Sequence, residues 1–334
     1  MAAAVEGVRR REFGICGLAL LTGCGAHEGD VRLALQPPSA NNYPSYLAHW
    51  LGFYEQEGVH VAISQIAGAS KVLEAVIGAS ADVGGGVYEQ AVQMLAEGRD
   101  VRCFVSLLRS PNFAIVASPN GGVKRIDDLR QRSIGVSAVG SPSQFYLNHL
   151  LIANLIPVET VSTATIGMGA TAVAALERNQ VAAAVLFGSA ITTYLSRHQG
   201  AVILADTRTP EGLRAMFGVD DYPASCLLAR GAWLHEHPEE ARRISRAVLK
   251  SLAWIREHTP EEIYARVPAE ARVGDAAAEI EAIRLAKPMY STDGRIRPES
   301  AEAVRRVVAG SLERVRAASL DLSRTHTDDY LPAK

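Results

Sequence analysis

The sequence of 334 residues lacks several features that would assign it to a large functional class. Its formal net charge is only -2 and it contains no long run of like charges, which argues against nucleic acid as the main partner. It also has no low-complexity tract and no repeat with the period of a solenoid. What is present is an ordinary soluble balance, 48% hydrophobic and 21% charged, in a length that suits one large domain or two medium ones.

Signatures of catalysis and of nucleotide binding are missing as well. No GxxxxGK[ST] loop and no GxSxG turn occurs, and Gly84-Gly85-Gly86 lacks the GxGxxG spacing. His235 and His237 flank Glu236, but a metal site needs further ligands in space, and the local sequence fits the start of a helix. We therefore expect no metal, no cofactor and no enzymatic activity.

Cysteine is scarce, and two of the four cysteines, Cys16 and Cys24, lie near the N-terminus. The other two, Cys103 and Cys226, lie in apolar runs that are typical of strands. Buried free thiols and a disulfide both fit that setting, so the sequence leaves the state of this second pair open.

The N-terminal segment resembles a bacterial lipoprotein signal. A basic cluster at Arg9–Arg11 precedes an apolar run at Ile15–Leu21 that is too short to span a bilayer. The run ends in Leu-Thr-Gly-Cys, which implies cleavage before Cys24, a lipid on its sulfur, a signal at residues 1–23 and a tether at residues 24–30. Arg10-Arg11-Glu12-Phe13 resembles a weak twin-arginine motif, so both Sec and Tat export stay open. The alternative is a frayed basic N-terminus with a chance cysteine.

The most informative stretch is Gly135–Asn154, which predicts a short buried strand, a tight loop and a helix. Gly140 permits a sharp turn, Ser141 is a good N-cap, and Pro142 suits the first helical position. Backbone N–H groups and the hydroxyls of Ser141 and Ser143 then lie at the positive end of a helix, which is a suitable place for an anion. The alternative is an ordinary capped helix of an α/β protein.

The same succession of strand, glycine-containing loop and helix fills two blocks between residue 31 and about residue 205. Strands that alternate with helices of this length predict βαβ units, a largely parallel sheet and an α/β fold. We expect a turn at Gly85-Gly86 and a single long helix at Pro298–Ala317.

Several short motifs follow one another in an order that is known from one family. They are Asn42–Ala48, Gly52–Val59, Gly68–Ser70, Ala81–Gly86, Ile126–Leu129, Ile134–Val136, His237–Ala241, Ala253–Ile255 and Asp321–Ser323. In this order they resemble the periplasmic solute-binding proteins of ABC importers, in the branch for nitrate, sulfonates, taurine and thiamine precursors. The resemblance implies a two-lobed periplasmic binding protein of type II. Lobe one would comprise residues 31–112 and 224–334, lobe two residues 113–223, and the hinge strands Phe113–Val116 and Ser225–Ala229.

The resemblance also implies a ligand site between the lobes, outside the carboxyl ends of the strands. Backbone N–H groups and hydroxyls in these loops suit the oxygens of a sulfonate, carboxylate or nitrate. Two roles stay open for Arg109, a bidentate partner of an acidic ligand or a surface charge near the hinge. Glu89 would oppose an anion, so it is expected to point away or to bind an amine. The implied ligand-binding residues are Ser39, Asn41, Asn42, Gly68, Ala69, Ser70, Gly86, Val87, Arg109, Gly140, Ser141, Ser143, Met168, Gly169, Phe187 and Gly188.

The function that follows is extracytoplasmic capture of a small organic anion by cleft closure and its delivery to an ABC permease and ATPase. The chain would be a monomer, in the periplasm or at the cell surface, held to the membrane by the lipid on Cys24. The alternatives are binding of a thiamine-type pyrimidine or another heterocycle, and an enzyme like the pyrimidine-precursor synthases of a related branch. The sequence has no cluster of cysteine and histidine to support that chemistry.

Overall fold

The structure is a computed structural model that describes residues 30–272 and 274–333. The proposed signal, Cys24 and the tether up to residue 29 lie outside the described residues. No helix in the described part of the chain is long and apolar enough to cross a membrane.

The described residues form two five-stranded sheets surrounded by helices. The strands are β1 (Val31–Leu35), β2 (Val61–Gln65), β3 (Val83–Val87), β4 (Val101–Ser106), β5 (Phe113–Ala117), β6 (Ser133–Val136), β7 (Ser162–Thr165), β8 (Ala183–Phe187), β9 (Val202–Asp206) and β10 (Ser225–Arg230). The helices are α1 (Tyr43–Trp50), α2 (Phe53–Gln56), α3 (Ala69–Ile77), α4 (Tyr88–Ala96), α5 (Pro142–Ala153), α6 (Ala170–Glu177), α7 (Ser189–Arg197), α8 (Pro210–Phe217), α9 (Gly231–Glu236), α10 (Pro238–Glu257), α11 (Pro260–Ala265), α12 (Ala276–Ala286), α13 (Pro298–Ala309) and α14 (Glu313–Ala317).

The two sheets have the same design. The first has the order β2-β1-β3-β10-β4, and the second has the order β7-β6-β8-β5-β9. In each sheet the first three strands are parallel, and the fourth runs antiparallel to both of its neighbours. We call the first sheet with its helices lobe one and the second lobe two. The carboxyl ends of parallel strands share one edge of a sheet, so each lobe presents one edge of loops and helix N-termini.

Two segments connect the lobes, residues 107–112 between β4 and β5 and residues 218–224 between α8 and β10. They are hydrogen-bonded to each other, since Ala224 N–H donates to Leu108 O at 2.9 Å and Tyr222 N–H donates to Arg109 O at 3.0 Å. A third segment from the C-terminal region joins them, because Arg109 N–H donates to Met289 O at 2.7 Å. The hinge is therefore built from three chain segments. The predicted hinge strands, Phe113–Val116 and Ser225–Ala229, lie next to it inside β5 and β10.

The helices beyond β10 cover lobe one, and α10 shows how. Ile244, Val248, Leu252 and Ile255 recur at helical spacing and are fully or almost fully buried, so this stripe packs on α1 and α2 as an amphipathic helix should.

The expected turn at Gly85-Gly86 is wrong, because both glycines lie inside β3. Their role is close packing rather than chain reversal. A Cβ at Gly85 would lie 2.5 Å from Leu35 Cδ2, and one at Gly86 would lie 2.6 Å from Leu228 Cδ1.

Helix boundaries also differ from expectation at the C-terminus. The single helix expected at Pro298–Ala317 is two helices, α13 and α14, with a break at Gly310–Leu312. Helix α8, for which we had no expectation, begins at Pro210 after its N-cap Thr209, whose hydroxyl accepts from Gly212 N–H at 3.1 Å.

Candidate functional site in the cleft between the lobes

Two sets of hydrogen bonds place the loop edges of the lobes opposite each other. Tyr146 on α5 of lobe two donates to Glu89 on α4 of lobe one, at 2.5 Å. Ser189, the first residue of α7 in lobe two, donates to Glu279 on α12, which also accepts from Tyr43 at the start of α1 at 3.3 Å. These contacts bring the first turn of α4 in lobe one against α5 in lobe two, and they bring the starts of α1 and α7 to one carboxyl of α12.

Helices that begin at this cleft begin without a side-chain cap. This holds for α1, α3, α5, α6 and α7. It holds equally for α2, α9, α10, α13 and α14, whereas α8, α11 and α12 are capped by Thr209, Thr259 and Asp275. Helix N-termini carry N–H groups without intrahelical partners and a partial positive charge. The cleft thus collects uncapped positive helix ends from both lobes.

Gly169 and Gly188, the N-cap residues of α6 and α7, have nearly the same backbone conformation. Their backbones have φ 59 and ψ -131, and φ 53 and ψ -136, a region that side-chain-bearing residues rarely adopt. A Cβ at either position would meet nothing within 4 Å, so both glycines border open space. The start of α6 is consequently open to a small ligand, whereas the first residue of α7, Ser189, already donates to Glu279.

The loop between β6 and α5 is held together by three serines. The hydroxyls of Ser137, Ser141 and Ser143 lie 2.7–3.0 Å from one another. Ser143 Oγ also accepts from Ser137 N–H at 2.8 Å, and Ser141 Oγ donates to Ala138 O at 2.6 Å. Ser141 and Ser143 are buried, so in this structure both predicted site serines organise the loop, and neither caps α5.

The predicted residues of lobe one also order their own loops. Asn42 Oδ1 accepts from Ser39 N–H at 2.8 Å, and Asn41 Oδ1 accepts from the side chain of Asn112 at the hinge at 2.7 Å. The side chain of Gln90, which we did not predict, donates to Ala69 O at 2.8 Å.

Gln90 also ties the end of β3 to α4, because its Oε1 accepts from Val87 N–H at 3.1 Å. Gly86 is inside β3, paired with Cys226. The backbone N–H of Val87 is therefore already used by the protein, whereas Gly68 and Ser70 at the start of α3 are exposed.

Arg109 lies at the hinge, with its guanidinium directed at the C-terminal segment. Its Nε donates to Tyr290 O at 3.4 Å and its terminal nitrogen to Pro288 O at 3.2 Å. Of the two roles that stay open for it, these contacts favour the charge near the hinge.

The remaining predicted residues of lobe two lie at different depths. Phe187 is half-buried, and its ring centroid lies 6.1 Å from that of Phe113, which directly follows the connecting segment 107–112 at the base of the cleft. Met168 is exposed, as is Gly140, whose N–H donates to Gln144 Oε1 at 2.6 Å. The cleft therefore has an aromatic base near the hinge and an exposed mouth.

Glu89 is fully buried at this base. Its Oε1 accepts from the hydroxyls of Tyr146 and Tyr222, and its Oε2 has no partner among the described residues. Burial raises the pKa of Glu89 to about 7, although both phenolic hydrogen bonds oppose the shift. A carboxyl with a pKa near 7 can accept a hydrogen bond from a ligand when it is ionised and can donate one when it is protonated.

Glu279 is the site residue that sequence reasoning missed. It is 8% exposed, and burial raises its pKa above the ordinary value. The available signal was its place on the apolar face of α12, three and four residues before Ala282 and Ile283, which are both buried. Its partners, however, lie far away in the chain.

Neither thiol of the cysteine pair is in a disulfide. Cys103 and Cys226 are free and buried on neighbouring strands, β4 and β10. Among residues 30–272 and 274–333, no group of three or more His, Cys, Asp or Glu side chains is arranged to hold a metal ion.

Comparison with known proteins agrees with this architecture. The NMT1/THI5-like family matches residues 39–263, which is more than half of the chain. The chain belongs to the NMT1/THI5-like family. A solved structure of a protein from Bordetella bronchiseptica RB50 is 31% identical, with a TM-score of 0.83, and covers 91% of this chain and 96% of that one.

More distant matches to this NMT1/THI5-like chain differ in what they are described to do. The alkanesulfonate-binding protein SsuA from Xanthomonas axonopodis pv. citri, bound to MOPS, is 15% identical with a TM-score of 0.72 over 91% of this chain and 99% of that one. The 4-amino-5-hydroxymethyl-2-methylpyrimidine phosphate synthase of Schizosaccharomyces pombe is 29% identical over 92 residues, 28% of this chain and 27% of that protein. The chain thus matches about a quarter of that relative's length. The predicted family and the periplasmic binding protein fold are confirmed.

Proposed function

We propose that this chain is the extracytoplasmic solute-binding component of an ABC importer, and that it captures a small organic anion by closing its two lobes. The observation that carries the proposal is that α3 of lobe one and α5 and α6 of lobe two begin without a side-chain cap at the loop edges of their sheets. The names of structural neighbours with the same fold, among them an alkanesulfonate-binding protein and a ligand-binding component of an ABC-type import system, support the class.

The uncapped helix ends are the part of the cleft that favours a sulfonate or carboxylate, whereas Glu89 and Glu279 would oppose one when ionised. Each helix end contributes about 0.3–1 kcal/mol toward an anion at an exposed site and up to about 2 kcal/mol when partly buried. Three such ends supply at most about 6 kcal/mol. Micromolar affinity, about -8 kcal/mol, therefore requires apolar contact with the ligand as well. Exposed Met168 and Val139, on the two lobe-two loops, are available for that apolar contact.

Binding would also drive closure. A ligand that contacts helix ends of both lobes interacts better with the closed arrangement than with the open one, so it shifts the population toward closure. The closed, loaded protein would deliver its ligand to a permease with its ATPase. In this proposal the protein works as a monomer and is not an enzyme, so it releases its ligand unchanged.

Location follows from the same proposal. The N-terminal segment would direct export and leave a lipid on Cys24, with the domain in the periplasm or at the cell surface. Radiolabelled fatty acid should enter the protein in cells, and Cys24→Ser should abolish that labelling while export continues.

A second candidate ligand is a heterocycle with hydrogen-bond donors, such as a thiamine-type pyrimidine. The observation that favours it is the presence of two carboxyls, Glu89 and Glu279, beside the cleft loops, since a carboxylate pairs with an amino group. The local similarity to the pyrimidine phosphate synthase points the same way.

A thermal-shift panel of sulfonates, aliphatic and aromatic carboxylates, nitrate, bicarbonate and thiamine precursors tests the proposal. A ligand at 100 times its Kd adds about 2.7 kcal/mol of stability, which is measurable. We expect the largest shift with an organic anion. A shift with pyrimidines alone would favour the second candidate, and no shift with any anion would refute anion capture.

Two serine substitutions locate the site. Replacing Ser141 and Ser143 with Ala removes the hydroxyls that order the β6–α5 loop, so the anion-induced shift should shrink strongly. Ser196→Ala, at the exposed far end of α7, is the matched control and should leave the shift unchanged.

A further inference from the structure

We propose that Glu279 is a positioning residue that fastens the two lobes to each other at the cleft. With Tyr43 and Ser189 it forms what we call the Glu279 clasp. Its value for ligand capture rests on the proposed function, but the contacts themselves do not.

The clasp joins one loop edge to the other. Glu279 Oε1 accepts from the hydroxyl of Ser189 in lobe two, and Oε2 accepts from the hydroxyl of Tyr43 in lobe one at 3.3 Å. Each oxygen of one carboxyl is thus bonded to a different lobe. Asp275 fixes the helix that carries this carboxyl, because its side chain accepts from Ala278 N–H at 2.9 Å and so caps α12.

Helix packing and burial support the hydrogen bonds of the clasp. Helix α12 packs directly against α7, so the carboxyl is held by a helix–helix contact across the lobes and not by a long flexible chain. Glu279 is 8% exposed and Tyr43 is 3% exposed. Because both groups are removed from water, their hydrogen bond is worth more than the same bond on the surface.

Charge explains why a carboxyl stands at this position. Ser189 is the first residue of α7, and its N-cap Gly188 has no side chain that could satisfy the positive helix end. A carboxylate beside that end is favourable for the same reason that a ligand anion would be. Glu279 therefore holds the β8–α7 loop at a fixed place relative to the β1–α1 loop, and the two halves of the ligand site are preorganised before the ligand arrives.

The test uses ligand-free protein. Small-angle X-ray scattering measures the radius of gyration, and hydrogen exchange measures how well the first amides of α7 are protected. Glu279→Ala should enlarge the radius of gyration and speed this exchange, with the ratio of closed to open molecules falling about tenfold or more, as expected for loss of a hydrogen bond to a charged group. Ser189→Ala removes the lobe-two partner alone and should open the lobes to a similar extent.

Two further variants separate a positioning role from a general effect on folding. Glu279→Gln keeps an oxygen that can accept from Ser189, so it should restore part of the closure that Glu279→Ala loses. Glu281→Ala removes an exposed carboxylate of the same helix, paired with Arg284 at 3.0 Å, and should leave the lobes as in the wild type.

The clasp is refuted if Glu279→Ala and Ser189→Ala both keep the wild-type radius of gyration, or if Glu281→Ala opens the lobes as much as Glu279→Ala. Since no ligand is present, this result is independent of the thermal-shift panel. Anion binding without a clasp and a clasp without anion binding are therefore separate outcomes.

Discussion

Glu89 shows at the scale of one residue how the fold changes side-chain chemistry. Its carboxyl is enclosed by Tyr146, Tyr222 and the aromatic rings at the base of the cleft, and burial moves its pKa from 4.5 to about 7. The folded protein therefore binds the proton of Glu89 more tightly than the unfolded chain does. Stability must depend on pH as a consequence.

The sign of this dependence is set by the raised pKa. The contribution of Glu89 to stability is present in full below about pH 4.5 and is lost as the pH rises through 7, up to about 3 kcal/mol in total. Glu89→Gln cannot titrate, so its free energy of unfolding should gain on that of the wild type by about this amount between pH 4.5 and 8. Urea unfolding at a series of pH values measures the difference.

Glu74→Gln is the control for the pH series, because Glu74 is exposed on α3. Its curve should run parallel to that of the wild type. Parallel curves for Glu89→Gln as well would mean that the carboxyl of Glu89 titrates as an exposed group does.

Helix ends are the functional units at the scale of elements. Helices α6 and α7 both begin after a glycine with φ near 55° and ψ near -135°, and neither glycine offers a side chain to cap its helix. Alanine in such a backbone conformation costs about 1–3 kcal/mol. This backbone conformation therefore restricts both N-cap positions to glycine.

Gly188→Ala should destabilise the protein by about 1–3 kcal/mol through backbone strain alone, because its Cβ would meet no atom within 4 Å. Gly200→Ala is the control, since Gly200 has no positive φ and its Cβ would make only a van der Waals contact, 3.4 Å from Pro119. Chemical unfolding compares the two variants. Equal midpoints would show that the backbone at Gly188 relaxes without strain.

Local elements were predictable from the sequence where the signal itself was local. The strand, loop and helix of Gly135–Asn154 and the apolar stripe of α10 follow from periodicity, and both occur as expected, although Ser141 does not cap α5 through its side chain. The strand role of Gly85-Gly86 could not be predicted, because it depends on contacts with Leu35 and Leu228. Local rules interpret adjacent glycines as a turn.

Site residues divide in the same way. Loops at the carboxyl ends of strands could be placed on the cleft from topology alone, whereas the contacts of Arg109 and Glu279 could not. Arg109 bonds to carbonyls about 180 residues later in the chain, and Glu279 joins residues from the first and second blocks. Such pairings are set by the packing of distant helices.

The whole molecule is two similar lobes on a hinge of three segments. Residues 107–112 and 218–224 are hydrogen-bonded to each other, and the Met289 region bonds to the first of them. Closure must therefore bend a small, hydrogen-bonded unit, and the Glu279 clasp acts at a distance from it, on the loop edges. A ligand that contacts the loop edges of both lobes would stabilise the closed arrangement further than the clasp does alone.

Equilibrium dialysis measures anion capture itself, with the organic anion that gives the largest thermal shift as the ligand. After a long incubation the bound ligand is released by denaturation, counted and identified by mass spectrometry. We expect one ligand per chain, recovered chemically unchanged. Recovery of a new product in place of the ligand, or no retained anion at saturating concentration, would contradict it.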